Sequence, residues 1–410
     1  MLLATMRVQL IPTSASKGEL ASPHAEPDLV CMGRVALLLQ PTPRHSRKLL
    51  SHVRFHLPWL NMKYNGIKRV KKIIMAGAII MPRQIRMSQF PEARPPREVW
   101  QFTEDGVSEL RDGEVSVRID WLSVDPGMSG WITDKPNYMR PVQPGEVMRA
   151  FGVGEVVESR SPHFDRGDWV TGFLGLQTHG VYRDRLLRKI DPQLAPPQMF
   201  LSGLGMTGYT AYFGMMDIGR PASGETIVVS AASGAVGSVA VQLAKQAGGR
   251  VIGIAGGEEK CSYLRDVLQL DGVIDYKSGQ LADQVGALTP DGVDLYYDNV
   301  GGDILDLLLT RMNYKGRIVV CGAISQYSET TPTKGPQNLL RLVTHSLAMR
   351  GFTMKDYMSR IPEAVDVLSR GWKEGSLVFR EHILDGLDNF PEAYEMLFDG
   401  RNNGKLLIKV

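Results

Sequence analysis

The chain has 410 residues, 43% hydrophobic and 22% charged, with a formal net charge of +3; this is the composition of a soluble globular protein long enough for two domains. Residues 1–80 carry twelve Lys/Arg against three Asp/Glu and the remainder thirty-five against forty-one, so the mildly acidic body excludes nucleic acid and membrane surfaces as expected partners. The three cysteines, Cys31, Cys261 and Cys321, make neither a disulfide framework nor a zinc cluster and fit a reducing, cytoplasmic setting.

Residues 1–80 show no sustained period. Their Arg-rich, acid-poor start has the composition of a transit peptide; the simpler reading is a disordered tail, or an extension upstream of a start at Met81 or Met87. The apolar run at 73–80 is too short to span a bilayer. From Pro82 to Pro197 the signals are of short strands. "EVSVRIDWLSV" alternates Val115, Val117, Ile119 and Trp121 on one face, and "FGVGEVVES" and "GDWVTGF" follow between turn residues, which predicts a small, mostly antiparallel barrel.

At Leu204 the pattern changes. A helical stretch, "LGMTGYTAYFGMMDI", leads into strands predicted at 226–230, 250–254, 272–276, 293–297, 317–321 and 349–354. Helices between them include 238–247 and 259–268. This βαβ alternation predicts a doubly wound parallel sheet, so the fold class is α/β. The tail closes with a helix at 391–398 and a strand at 405–410 that is expected to return to the barrel.

The informative corner is "VVSAASGAVGSVAVQLAKQAG", Val228 to Gly248. A helix N-terminus offers unpaired N–H groups and a partial positive charge to a phosphate. The backbone must approach without side chains in the way, and Ala232-x-Gly234-x-x-Gly237 provides that, with Ala at the first glycine of G-x-G-x-x-G. Strand, turn, amphipathic helix and second strand within about thirty residues are the context a dinucleotide site requires. The second strand ends in "GIAGGEEKC". Two glycines and Lys260 suit the 2′-phosphate of NADP, Glu258 and Glu259 the 2′-hydroxyl of NAD, and spacing alone leaves the two even.

With "AASGAVGSV", "GIAGGEEKC", "DGVIDYK", "DGVDLYYDNVGG", "GRIVVCGAISQY", "LGMTGYTAY" and "GRNNGKLLIKV" in place, residues 81–410 resemble the zinc-independent medium-chain dehydrogenase/reductase family, in its group of NADP-dependent alkenal, curcumin and prostaglandin reductases. The resemblance implies a GroES-like barrel domain beside a Rossmann domain, divided as 1–80 (basic extension), 81–203 (substrate domain), 204–376 (NADP-binding domain) and 377–410 (return to the substrate domain). It tips the cofactor to NADP(H). Gly234, Ala235, Val236 and Gly237 would hold the pyrophosphate, with Lys260 and Tyr276 at the adenosine phosphate. Asn299, the run Cys321, Gly322, Ala323, Ile324, Ser325, Gln326 and Tyr327, then Phe352, Thr353 and Met354, would line the ribose and nicotinamide. Asn402 would reach in from the tail, and Met206 and Thr210 would approach the nicotinamide.

Where zinc alcohol dehydrogenases of this superfold carry a Cys and a Gly-His-Glu run, this chain has Asp125 and Arg149-Ala150-Phe151. No metal is therefore expected. The implied reaction is reduction of a carbon–carbon double bond conjugated to a carbonyl: hydride to the β-carbon, an enolate stabilised by a donor, and a proton to the α-carbon. Tyr327 is the expected donor and Tyr138 a wall of the pocket for the α,β-unsaturated substrate. The blander roles are packing over the ribose for Tyr327, and burial as small hydrophobes for Cys261 and Cys321. His179 and His382 receive no role.

Two departures affect the substrate. The family has an aromatic after "SVDP" where this chain has Gly127, and Trp-Gln-Glu-Tyr in many members where this one has Leu176-Gln177-Thr178-His179. A quinone reductase, and an NADPH-binding regulatory or structural protein without turnover, are the competing functions, and an RNA- or membrane-directed arm at 1–80 is a further one. The resemblance leaves a homodimer open.

Overall fold

The computed structural model describes residues 81–410 except 93, 107, 136–138 and 328–334. Within 1–80 it describes only the strands Ile11–Pro12, Leu29–Met32, Val35–Leu38, Ile73–Met75 and Ala78–Ile80. Tyr138 and most of the extension expected to be disordered lie outside the described residues. The chain divides into two units, Met1–Ile67 and Lys68–Val410. In the first, Val35–Leu38 pairs antiparallel with Ile11–Pro12 and with Leu29–Met32.

The second unit opens with a hairpin of Ile73–Met75 and Ala78–Ile80. A hairpin of β1 (Arg83–Met87) and β2 (Trp100–Glu104) follows. Next come β3 (Glu114–Ser123), β4 (Phe151–Ser159), β5 (Trp169–Phe173), β6 (His179–Arg183) and β7 (Leu187–Ile190), all joined antiparallel. Val115, Val117 and Ile119 are buried together, as alternation requires. Trp121 departs from that face. A register shift between Ile119 and Trp121 in the β3–β4 ladder makes Leu122 the next residue into the barrel core, and Trp121 packs against the neighbouring core instead.

Helix α1 (Met206–Tyr212) continues into a wider turn to Gly219. Then β8 (Thr226–Ser230), α2 (Gly237–Gln246), β9 (Arg250–Ala255), α3 (Glu258–Ser262), β10 (Gly272–Asp275), α4 (Leu281–Leu288), β11 (Val293–Asp298), α5 (Gly302–Arg311), β12 (Met312–Val320), α6 (Arg341–Thr344), β13 (Ala348–Gly351) and α7 (Ile361–Lys373) alternate. The strands form one parallel sheet in the order β10-β9-β8-β11-β12-β13. One apolar core lies on each of its faces. Strand order reverses between β8 and β11, and ligands bind outside the C-terminal strand ends at such a point.

The tail supplies β14 (Glu381–Asp385), α8 (Phe390–Asp399) and β15 (Lys405–Lys409). β15 pairs antiparallel with β3 and parallel with β14, so the end of the chain does join the barrel sheet. Phe390, Tyr394 and Leu397 of α8 enter the barrel core. The segment between α8 and β15 thereby comes to border the crevice of the parallel sheet.

Candidate active site

The corner after β8 shows why its residues are small. Ala231 takes a left-handed φ of 47°. A Cβ on Gly237 would stand 2.2 Å from the Ala231 carbonyl oxygen, and one on Gly234 3.1 Å from the same atom. Gly237 therefore lets α2 start hard against the strand end, and it borders the crevice there. The floor is tied across the reversal point. Ser230 Oγ donates to Asp298 Oδ1 at 3.2 Å, and Asn299 donates through its backbone N to Ser230 Oγ at 2.9 Å and through Nδ2 to Ser230 O at 2.7 Å.

From this corner a cleft of about 590 Å³ runs to the barrel. It gathers Gly234, Ala235, Val236, Gly237, Lys260, Tyr276, Asn299, Cys321, Gly322, Ile324, Ser325, Tyr327, Asn402 and Thr210 on one surface. The structure does not bring Met206, Ala323, Gln326, Phe352, Thr353 or Met354 to that surface. Phe352 packs edge-on to Tyr357 at 6.1 Å, and Met354 packs against the core behind the wall. Met206 opens α1, where its carbonyl accepts from Thr210 Oγ1 at 2.8 Å, and Ala323 N donates to Tyr327 OH at 3.3 Å.

At one end of the cleft, Lys260 Nζ donates to Gly400 O at 2.9 Å. An ideal Cβ on Gly400 would lie 3.8 Å from Lys260 Nζ, 3.9 Å from Lys277 Nζ and 3.9 Å from Tyr276 OH. Burial, then repulsion from Lys277, holds the Lys260 ammonium below its ordinary pKa. Among the described residues no carboxylate pairs with either lysine. Glu258 pairs with Arg265 at 3.1 Å, and Glu259 with Arg380 at 3.2 Å and with Asn403 Nδ2 at 2.5 Å. Both acids thus have other partners, while the charge of Glu259 still favours the protonated form of Lys260. Sequence reading missed Lys277, although it follows Tyr276 directly.

At the other end, Lys405 is 2% exposed, and its Nζ lies 2.8 Å from Asp125 Oδ1 and 2.9 Å from Val124 O. Ser123 Oγ donates to Asp125 Oδ2. Lys405 was also missed; a lysine opening the apolar run "KLLIK" was the available signal, because a buried charge needs a partner. Arg149 lies over the Trp131 and Phe173 rings at 5.6 and 6.0 Å and donates to Arg140 O at 3.0 Å. Asp125 is thus already matched by an ammonium and Arg149 is a cation, a donor set that does not suit zinc. No group of three or more His, Cys, Asp or Glu side chains among the described residues could hold a metal ion.

Burial pushes the Cys321 thiol up to about 12, so it is a neutral wall of the cleft and not a nucleophile. Gly127 lines the cleft. His179 does not border it: the imidazole is buried on β6 across from Arg118, with Nδ1 3.3 Å from Thr178 Oγ1. The second departure from the family pattern therefore falls within the barrel packing.

A doubly wound sheet with a phosphate corner at its reversal point, joined through one cleft to an antiparallel barrel, defines a two-domain dinucleotide-dependent oxidoreductase. Residues 83–190 match the family described as N-terminal domain of oxidoreductase, and residues 235–370 the family described as zinc-binding dehydrogenase. The chain is 40% identical over 325 residues to the NADPH-dependent curcumin reductase of Escherichia coli (strain K12), covering 78% of this chain and 94% of that one. It is 38% identical over 300 residues to the 2-alkenal reductase (NADP(+)-dependent) of Nicotiana tabacum, covering 72% and 87%. The crystal structure of CurA in complex with NADPH from Vibrio vulnificus superposes with a TM-score of 0.77 at 37% identity, over 80% of this chain and 99% of that one. The chain belongs to the medium-chain dehydrogenase/reductase family, in the group of NADP-dependent curcumin, alkenal and prostaglandin reductases, and its cofactor is NADP(H).

Proposed function

We propose that this protein reduces carbon–carbon double bonds conjugated to a carbonyl, in one cleft and without a metal. The observation that carries the reading is the continuity of the cleft: the small-residue corner at Gly234–Gly237 and the tyrosine loop at Tyr327 share one surface, and Asp125, which by the resemblance stands where zinc alcohol dehydrogenases carry a Cys, is paired with Lys405. Relatives named as curcumin and 2-alkenal reductases support the same chemistry.

Gly234, Ala235, Val236 and Gly237 hold the pyrophosphate, and Lys260, Tyr276 and Lys277 the 2′-phosphate. Asn299, Cys321, Gly322, Ile324, Ser325 and Asn402 line the ribose and nicotinamide. Bound NADPH supplies the hydride that the β-carbon receives. Tyr327 donates to the carbonyl oxygen as negative charge collects there, and the α-carbon then takes a proton. The division into 1–80, 81–203, 204–376 and 377–410 belongs to this proposal.

A homodimer fits as well. β13 is one of the two edge strands of the parallel sheet, and Leu340 and Val343, just before it, are 70% and 74% exposed. Sedimentation of the purified chain tests this.

The test of function is cofactor consumption by the full chain, with NADPH and NADH each offered enals, enones and quinones. NADPH-selective turnover of enals or enones to the saturated carbonyl supports the proposal. Turnover of quinones alone contradicts it.

A further inference from the structure

Asp298 closes β11 at the reversal point of the sheet, and the residue is fully buried. Four donors converge on its Oδ1: Ser230 Oγ at 3.2 Å, Tyr296 OH at 2.7 Å, Val300 N at 3.0 Å and Gly301 N at 2.9 Å. Its backbone carbonyl accepts from Cys321 N at 2.8 Å and from Gly322 N at 3.1 Å. One residue thus ties together the segments that leave β8, β11 and β12. With them it fixes the cleft wall at Asn299, Val300, Cys321 and Gly322.

Packing explains the bonds to Oδ1 but not the charge. An ionised carboxylate only accepts, and four donors on one oxygen are the company that state keeps. Oδ2 is buried without a hydrogen-bond partner, and no Lys, Arg or His among the described residues pairs with either oxygen. A buried negative charge without a cation is costly, and an amide of the same shape could accept the same four bonds at lower cost. The charge is also felt at the cleft. Burial raises the Cys321 thiol most, and repulsion from Asp298 adds to that rise.

We infer that the buried charge of Asp298 favours the oxidised over the reduced cofactor in the cleft, and so makes bound NADPH a stronger hydride donor. The nicotinamide ring is neutral in NADPH and positive in NADP+, so a fixed anion behind the wall distinguishes the two forms. Asp298 touches neither cofactor nor acceptor; it is a positioning residue that acts through the wall it holds and the field it sets there. The inference rests on the placement, above, of the nicotinamide beside Asn299, Cys321 and Gly322. It does not depend on which acceptor is reduced.

The test is the affinity of the full chain for NADPH, read by its fluorescence, and for NADP+, read by competition. The wild type is compared with Asp298→Asn, Asp298→Ser, Tyr296→Phe and Cys321→Leu. Either neutral substitution at 298 should raise the ratio Kd(NADP+)/Kd(NADPH) by at least about fivefold, while affinity for adenosine 2′,5′-bisphosphate, which has no nicotinamide, changes by no more than about twofold. Asp298→Ser leaves room for water at the freed loop N–H groups and serves where Asp298→Asn does not fold. Tyr296→Phe removes one donor from the same carboxylate and keeps the charge, so the ratio should stay at the wild-type value. Cys321→Leu tests the placement and should weaken both dinucleotides without weakening the bisphosphate. Equal weakening of NADP+ and NADPH by the neutral substitutions, with Cys321→Leu behaving as expected, would reduce Asp298 to a structural residue and overturn the inference alone. Unchanged dinucleotide affinity in Cys321→Leu would overturn the placement and the inference with it.

Discussion

Lys405 Nζ lies 2.8 Å from Asp125 Oδ1, in a pair whose lysine is almost fully buried and whose carboxylate keeps about a fifth of its side-chain surface. The two residues are 280 positions apart and join the start of the last strand to the loop that leads into Gly127. Removing one partner of such a pair is costly because the other charge stays behind. Lys405→Met should destabilise the protein by about 3 kcal/mol, the low end of the usual range because Asp125 keeps some contact with water. Adding Asp125→Asn should recover most of that loss. Urea unfolding of the two single variants and the double variant measures the coupling, and additive losses would show that the pair contributes nothing as a unit.

Selectivity between the two nicotinamide dinucleotides should reside in the lysines near Gly400. Lys260→Ala is expected to raise the KM for NADPH much more than that for NADH, because only NADPH carries the 2′-phosphate. Lys277→Ala should act in the same direction more weakly, since its side chain is more exposed. Steady-state kinetics with each cofactor decides, and equal effects on both would remove the lysines from phosphate recognition.

Gly237→Ala should cripple the cofactor corner. The new Cβ would meet the Ala231 carbonyl at 2.2 Å, and neither that oxygen nor the start of α2 can give way without moving the helix off the strand. A loss of at least about tenfold in NADPH affinity is expected, with a stability loss of about 1–3 kcal/mol from overpacking. Fluorescence titration and thermal melting read the two effects, and wild-type affinity in this variant would contradict the geometry.

Tyr327→Phe separates donation from packing. The ring is preserved and only the hydroxyl is lost, so a fall of about a hundredfold in kcat with little change in NADPH affinity is the signature of an oxyanion donor. An unchanged kcat would reduce Tyr327 to a wall over the ribose.

His179 makes stability depend on pH. Burial, then the charge of Arg118, holds its pKa below the ordinary value. As pH falls through about 6.5 the unfolded chain takes up a proton that the folded chain refuses, so this residue lowers stability toward acid. His179→Phe should show a smaller drop in melting temperature than the wild type between about pH 7.5 and about pH 5.5, roughly one unit either side of that midpoint. An equal or larger drop would place the acid sensitivity elsewhere.

Much of the fold was legible because its signals are local. β8 occupies Thr226–Ser230 as predicted, since a short β-branched run ending in tiny residues has few other ways to pack. The small-residue corner announced α2 for the same reason. Trp121 was misjudged because alternation cannot foresee a bulge, which arises from pairing with a second strand. Spacing left NAD and NADP even and only the resemblance tipped the choice to NADP; the partners of Glu259 were beyond local reading, because Arg380 and Asn403 lie more than a hundred residues away from it. Lys405 and Gly400 escaped notice on the same ground: their roles are set by what the tail touches. Phe352 and Met354 show the converse limit, where position in a motif suggested the cleft and packing drew the side chains into the wall behind it.

The measurement that bears most directly on the central claim is the destination of the hydride. The full chain would be given NADPH deuterated at the transferable position together with an enone, and the product examined by NMR. Deuterium on the β-carbon of a saturated ketone is the result the account predicts. Deuterium on the former carbonyl carbon of an alcohol would contradict it, and would make the protein a carbonyl reductase.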